Sequence, residues 1–352
     1  MTFLSLISMI QIERTSEAAC AMSASEATRV NAFLNDGVES VEFGLGSSIA
    51  LSVLMSALPI AVLAQGASSS SVTPTRVLVT VETSKGANAP EIKREDVMVY
   101  EGHDRDKVTE WTSAKGTGAA LQLFLLIDDA ANSSLGSQLQ DLRKFIAAQP
   151  DTAKVGVAYM QNGVAQVAQD LTSDHSQAAK ALRLPLGIPG VNASPYFSLE
   201  DLIKRWPETT ARREVLVISD GIDRYWGSGP ADPYVDSVVE EAQRAGVVIF
   251  SIYTPGVGHD SHSYWRMWWG QIYLARVGED TGGESYYMGS HGPPVAFAPY
   301  LDDVAQRLTR QYWLTFTPKP GQKSGMQRVR VTTELPNVEL VGPDKVYVQA
   351  SP

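Results

Sequence analysis

Two aspartates that close apolar runs are the residues of this chain best placed to do chemistry. Asp128 ends Leu121-Gln122-Leu123-Phe124-Leu125-Leu126-Ile127, and Asp220 ends Val215-Leu216-Val217-Ile218-Ser219. Paired carboxylates offer hard oxygen donors for a cation, or an acid and a base for proton transfer. Gathered at one edge they are costly unless a cation, a donor network or water compensates them. Asp129 follows Asp128 directly and stands at the same edge. His259 and His262 share a stretch rich in Gly, His and Ser. That spacing could begin a transition-metal site, but no third strong ligand accompanies it, and a polar loop is the plainer reading. Tyr264, Trp265 and Arg266 open an aromatic cluster. Those residue types dominate interface hot spots, with burial under the loop as the alternative. Nothing signals a nucleophile. Ser219-Asp220-Gly221 lacks the Gly-x-Ser-x-Gly elbow, no glycine-rich phosphate loop follows a strand, and the sequence puts no His or Lys beside the aspartates. The chain is therefore not expected to be an enzyme.

The elements that position these residues are of two kinds. From Leu121 onward, apolar strands bounded by turn residues alternate with amphipathic helical stretches, which predicts βαβ units and a doubly wound, mostly parallel sheet. The strands are 121–128, 154–160, 164–168, 214–220, 247–253 and 284–288, with an Asn162-Gly163 hairpin turn after the second. Helices are predicted over 135–148, from 173, 199–206, 233–245, 268–279 and 295–310. In such sheets ligands bind outside the carboxyl ends of the strands, which is where both aspartates fall. Short alternating strands flank this region, at 76–83, 96–101 and 107–112 before it and 312–317, 327–333 and 345–349 after it. They predict small antiparallel β elements at both ends, the second packing on the first.

Composition narrows the partners. The 352 residues carry a net charge of −10, with no block of lysine and arginine. That disfavours nucleic acid. The one cysteine, Cys20, excludes a disulfide framework and a cysteine metal site. From Phe43 to Thr75 no residue is charged, and within this stretch Ile49 to Ala64 is an apolar run ending in small residues. Val62 and Ala64 suit signal peptidase, and Gln65 would become the new N-terminus. Pro59 and a length short of the ~20 residues of a spanning helix argue against an anchor. The acidic flank Glu39 to Glu42 and the distance from Met1 are atypical of a secretory signal. Cleavage would remove Cys20, two of the 29 basic residues and six of the 39 acidic ones, leaving 27 and 33, net −6. A cysteine-free chain suits an extracytoplasmic location, periplasmic or secreted, with membrane attachment only if the signal stays uncleaved. The predicted organisation is a signal segment 1–64, a linker 65–75, an N-terminal β element 76–118, a doubly wound domain 119–311 and a C-terminal β element 312–352.

Residues Leu121 to Tyr312 resemble a von Willebrand factor A-type domain. The matching points are the first strand ending in Asp128, the strand ending in Ser219-Asp220-Gly221, the strand after Gly246, and Thr281-Gly282-Gly283 before the last strand. The flanks Thr80 to Trp111 and Leu308 to Pro318 resemble those of the acidobacterial von Willebrand factor A-related family. The resemblance implies a binding role, usually for a protein ligand, through a metal-ion-dependent adhesion site. The family pattern Asp-x-Ser-x-Ser reads here Asp128-Asp129-Ala130-Ala131-Asn132, so the first serine is an alanine. The implied ligands are Asp128, Asn132, Ser194 and Asp220, for Mg²⁺ or another divalent cation. The alternative is a decayed site that binds no ion. The expected function is an extracytoplasmic protein-binding or adhesion module with a degenerate metal site, binding through Asp129, His259, His262, Tyr264, Trp265 and Arg266. A metal-dependent hydrolase or metal-binding protein at the same edge, or a structural subunit, are the other readings. The sequence does not specify an oligomeric state.

Overall fold

The computed structural model describes residues 73–83, 90–188, 190, 193–227, 229–287, 296–319 and 324–349. The segment 1–64, the start of the linker, Met288 and Val295 lie outside the described residues.

The central sheet has six strands in the order β6-β5-β4-β7-β8-β9. They are β4 (Leu121–Asp128), β5 (Ala153–Gln161), β6 (Val164–Thr172), β7 (Arg212–Ser219), β8 (Val247–Tyr253) and β9 (Ser285–Tyr286). All neighbours pair in parallel except β6, which returns antiparallel along one edge from the Asn162-Gly163 turn. Asn162 takes a positive φ of 53° there, which asparagine tolerates and most residues do not. Apolar residues fill both faces of β4 because helices cover both. Leu123, Leu125 and Ile127 pack with α1 (Leu139–Ala147) and α6 (Ala298–Thr309). Phe124 and Leu126 pack with α3 (Pro195–Arg205), α4 (Pro233–Ala245) and α5 (Tyr264–Thr281). Each fully enclosed leucine contributes about 2 kcal/mol of burial. The short α2 (His175–Lys180) adds Ala178 to the first face. Helix ends follow local chemistry. Ser194 caps α3 and Asp232 caps α4, each followed by proline, and Gly246 closes α4 with φ 65°.

The strands on either side of this domain form one sheet, in the order β12-β1-β10-β3-β2-β11-β13. From before it come β1 (Thr75–Thr83), β2 (Val97–Glu101) and β3 (Asp104–Ser113). From after it come β10 (Gln311–Thr317), β11 (Gly325–Thr333), β12 (Val338–Val341) and β13 (Lys345–Val348). Strand β10 is inserted between β1 and β3, so the two terminal segments share a core of Val79, Val99, Leu314 and Phe316 rather than folding apart. Arg212, at the start of β7, ties the two sheets together. Its guanidinium donates to the Leu308 carbonyl at 2.7 Å and to the Gln311 side chain.

Candidate functional site at the carboxyl edge

The parallel strands all end on one side, and the loops that leave them there are held by buried charge. Asp128 is nearly enclosed. One carboxylate oxygen accepts from the Ala130 amide at 2.8 Å and the other from the Ser219 hydroxyl at 2.7 Å. Burial raises its pKa, the negative charge of Asp220 adds to the rise, and Arg224 opposes it. Asp220, also buried, is gripped by Arg224. Nη2 lies 2.6 Å from one carboxylate oxygen, and Nη1 lies 3.3 Å from the other. The same Nη2 donates to Ser261 Oγ at 2.9 Å. Ser261 Oγ in turn lies 3.0 Å from Asp220 Oδ2, and the Ile222 amide donates to Asp220 Oδ1. The Arg224 side chain is 7% exposed, so this is an interior ion pair. The Arg224 backbone amide is fixed as well, donating to the Ala193 carbonyl at 3.0 Å.

The remaining residues of the implied metal set stand nearby, each engaged elsewhere. Ser194 donates its hydroxyl to Asp223 at 2.7 Å, and Asp223 accepts from the Tyr225 and Trp226 amides. The Asn132 side-chain carbonyl accepts from the Ser134 amide at 2.9 Å, capping a 3₁₀ turn over Ser133–Gln138. Asp128, Ser194 and Arg224 line one small pocket. The loop after β4 is closed against the loop after β8 by the pairing of Ala131 with Gly256 and of Asn132 with the Pro255 carbonyl.

A hard divalent cation needs about six oxygens, several of them water. Here Ala130 has no hydroxyl, Asn132 Oδ1 and Ser194 Oγ are used in capping and in holding Asp223, and Arg224 covers both oxygens of Asp220. The donor set does not fit a bound metal while the guanidinium is there. Among the described residues there is no group of three or more His, Cys, Asp or Glu able to hold one.

The expected binding residues separate into buried and exposed. Asp129 is fully buried. Arg183 Nη1 and Nη2 hold its carboxylate at 2.6 and 2.8 Å, and the Leu186 amide adds a third bond. Its charge is thus turned to the interior, not toward a partner. Arg183 is itself stacked on the Tyr159 ring at 3.7 Å. His259 and His262 are exposed, and Tyr264 and Trp265 are 58% and 64% exposed. Arg266 is half-buried and lies 3.4 Å from Asp260. These aromatics sit on the first turn of α5, which begins at Tyr264, four residues before the predicted Trp268. A wider cleft opens at the opposite edge, lined by Arg76, Arg213, Arg244, Trp313 and Tyr347. Its arginines are already engaged, Arg76 on the Trp313 ring, Arg244 with Glu240 and Arg213 with the Ala245 carbonyl, which leaves the carboxyl edge the stronger candidate.

Sequence reasoning missed Arg183, Arg224 and Ser261. The available signal was the arginine four residues beyond Asp220; Asp129 offers none, since its partner lies 54 positions away.

Strand order and the two helical layers decide the fold. The central domain is a doubly wound α/β fold. Solved structures similar to the chain include an aerotolerance-related membrane protein from Bacteroides fragilis, at 13% identity and a TM-score of 0.39, covering 53% of this chain and 98% of that one. Another is the manganese-loaded TRAP protein of Plasmodium vivax, at 12% identity and a TM-score of 0.38, covering 69% and 98%. The ArnB paralog VWA2 from Sulfolobus acidocaldarius matches at 8% identity and a TM-score of 0.36, covering 80% and 76%. No sequence-family model and no curated protein matches the chain. Within this domain, an ion pair stands where the resemblance implied a metal.

Proposed function

We propose that the protein is an extracytoplasmic binding module that holds a protein partner on the loops at the carboxyl edge of its central sheet, without turnover. The observation that carries this reading is the distribution of exposed apolar side chains. Leu184, Leu186 and Ile188 are exposed on the loop that ends at α3. Tyr225 and Trp226 are exposed after β7, Tyr264, Trp265 and Trp268 at the start of α5, and Tyr287 after β9. Only three other large apolar residues among the described ones are as exposed, Val164, Val167 and Tyr347. Solvated aromatics concentrated at one end of a domain mark an interaction site, and tryptophan and tyrosine are the residue types that carry binding energy there. A binding role is further supported by the state of Asp128 and Asp220, whose oxygens are hydrogen-bonded inward rather than presented to a substrate. The extracytoplasmic placement rests on the Ile49–Ala64 run and the absence of cysteine after Cys20. No helix among the described residues is long and apolar enough to cross a membrane.

The test is capture of an envelope or secreted protein by the immobilised chain, repeated with Trp226→Ala plus Trp265→Ala. Loss of a hot-spot aromatic weakens binding by about 2 kcal/mol, roughly thirtyfold, so the double variant should release the partner while its melting temperature holds. Retention of the partner at unchanged affinity would move the contact away from this edge.

A further inference from the structure

We propose that Arg224 is a tethered cation, holding the charge position between Asp128 and Asp220 that a divalent metal would otherwise take, so that removing its guanidinium opens a hard-cation site. Three observations converge. Nη1 and Nη2 face the two oxygens of Asp220, and Nη2 also reaches Ser261, so one group meets several oxygens at once, as an ion would. The favourable charge interaction of Arg224 extends to Asp128 as well as Asp220. The pair is also sealed in. A Cβ at Gly256 would fall on Asp220 Oδ2 and close to Ser261 Oγ and Arg224 Nη2, so the loop after β8 fits over the guanidinium only because that residue is glycine.

Without the guanidinium, two buried carboxylates that already feel each other's charge would have no counter-charge, an arrangement that is strongly unfavourable. The oxygens left at the vacated volume belong to Asp220 and Ser261, which the guanidinium contacts, and Asp128 and Ser194 line the same small pocket as Arg224. That is an all-oxygen set, suited to Mg²⁺ or Mn²⁺ rather than to a soft metal.

The experiment titrates MnCl₂ into the full chain, by calorimetry and by the paramagnetic resonance signal of free Mn²⁺. Wild type and Arg224→Lys, which keeps the charge, should show no saturable binding up to about 1 mM. Arg224→Ala should bind one Mn²⁺ at least about tenfold more tightly than wild type, and saturating Mn²⁺ should raise its melting temperature by about 2–4 °C. Adding Asp220→Asn to Arg224→Ala should abolish both effects. Two results would overturn the proposal: Mn²⁺ binding by wild type that Asp220→Asn removes, or a folded Arg224→Ala that binds no Mn²⁺. If Arg224→Ala is insoluble on its own, recovery of its fold with Mn²⁺ but not Na⁺ supports the tethered cation, and insolubility under both conditions refutes it.

Discussion

Glu214 offers the sharpest test of how the two sheets are joined. It lies at the third position of β7, wholly buried, with Arg212 3.9 Å away. Neither carboxylate oxygen completes a hydrogen bond among the described residues, although Gln311 faces it. Burial drives its pKa from 4.5 up to about 7, with the Arg212 charge and the Gln311 amide partly offsetting the rise. A pKa raised in the folded state means that the folded protein holds the proton more tightly than the unfolded chain. The resulting stability is fully present below the unfolded value of 4.5 and is lost as pH climbs through about 7. At 1.36 kcal/mol per pKa unit, the whole effect is about 3 kcal/mol, most of it falling between pH 5 and 8. Glu214→Gln removes the titration and keeps the shape. Urea unfolding followed by tryptophan fluorescence should show wild type losing about 2–3 kcal/mol more than Glu214→Gln between pH 5 and pH 8. Asp106 and Asp232, both raised to about 6, add to the fall in both proteins and cancel in the difference. Parallel pH profiles for the two proteins would show that Glu214 ionises in the fold at no cost, with the Arg212 pair then compensating it fully.

Two further outcomes are expected. Arg183→Ala should leave the Asp129 carboxylate buried and uncompensated and destabilise by about 2 kcal/mol, the partial exposure of Arg183 holding the loss below that of a fully interior pair. A urea midpoint indistinguishable from wild type would remove Asp129–Arg183 from the forces holding Leu184 and Leu186 in place. On export, the chain should begin at Gln65, and N-terminal sequencing of material recovered outside the cytoplasm reads this directly. An intact N-terminus upstream of Ile49, on protein in the membrane fraction, would indicate an uncleaved anchor.

The doubly wound sheet was legible because its signals are local and strong. Unbroken apolar runs at β4, β7 and β8 require cover on both faces, and Gly246 and the Asn162-Gly163 turn mark element ends by their backbone requirements. Strand β12 was not legible. It has four residues and earns its place only by pairing with β1, a contact more than 250 residues away in sequence. The insertion of β10 between β1 and β3 is hidden for the same reason, since no local pattern records which long-range neighbour a strand takes. At the site, the positions of Asp128 and Asp220 followed from the strand ends. What neutralises them did not, because an arginine on a loop is free in sequence terms to point anywhere. For the aromatic cluster the sequence left interface exposure and burial open, with burial expected for at least one tryptophan; instead Trp265 and Trp268 are exposed, and Trp269 is only half-buried, stacking on Tyr273.

The buried charges and the exposed aromatics are parts of one arrangement. Arg183, held by Asp129, directly precedes Leu184 and lies three residues from Leu186. Arg224, held by Asp220, directly precedes Tyr225 and Trp226, whose amides are fixed by Asp223. Ser261, the other contact of Arg224, lies three and four residues before Tyr264 and Trp265. Leu184, Leu186, Tyr225, Trp226, Tyr264 and Trp265 are therefore each within a few residues of an interior polar anchor on the same sheet edge. A surface loop that must order itself on binding gives up conformational entropy at that moment, about 1 kcal/mol for each side chain immobilised. Loops pinned beforehand by buried ion pairs avoid part of that cost. On this account the guanidiniums contribute to partner affinity without touching the partner, by fixing the frame from which the aromatic side chains project.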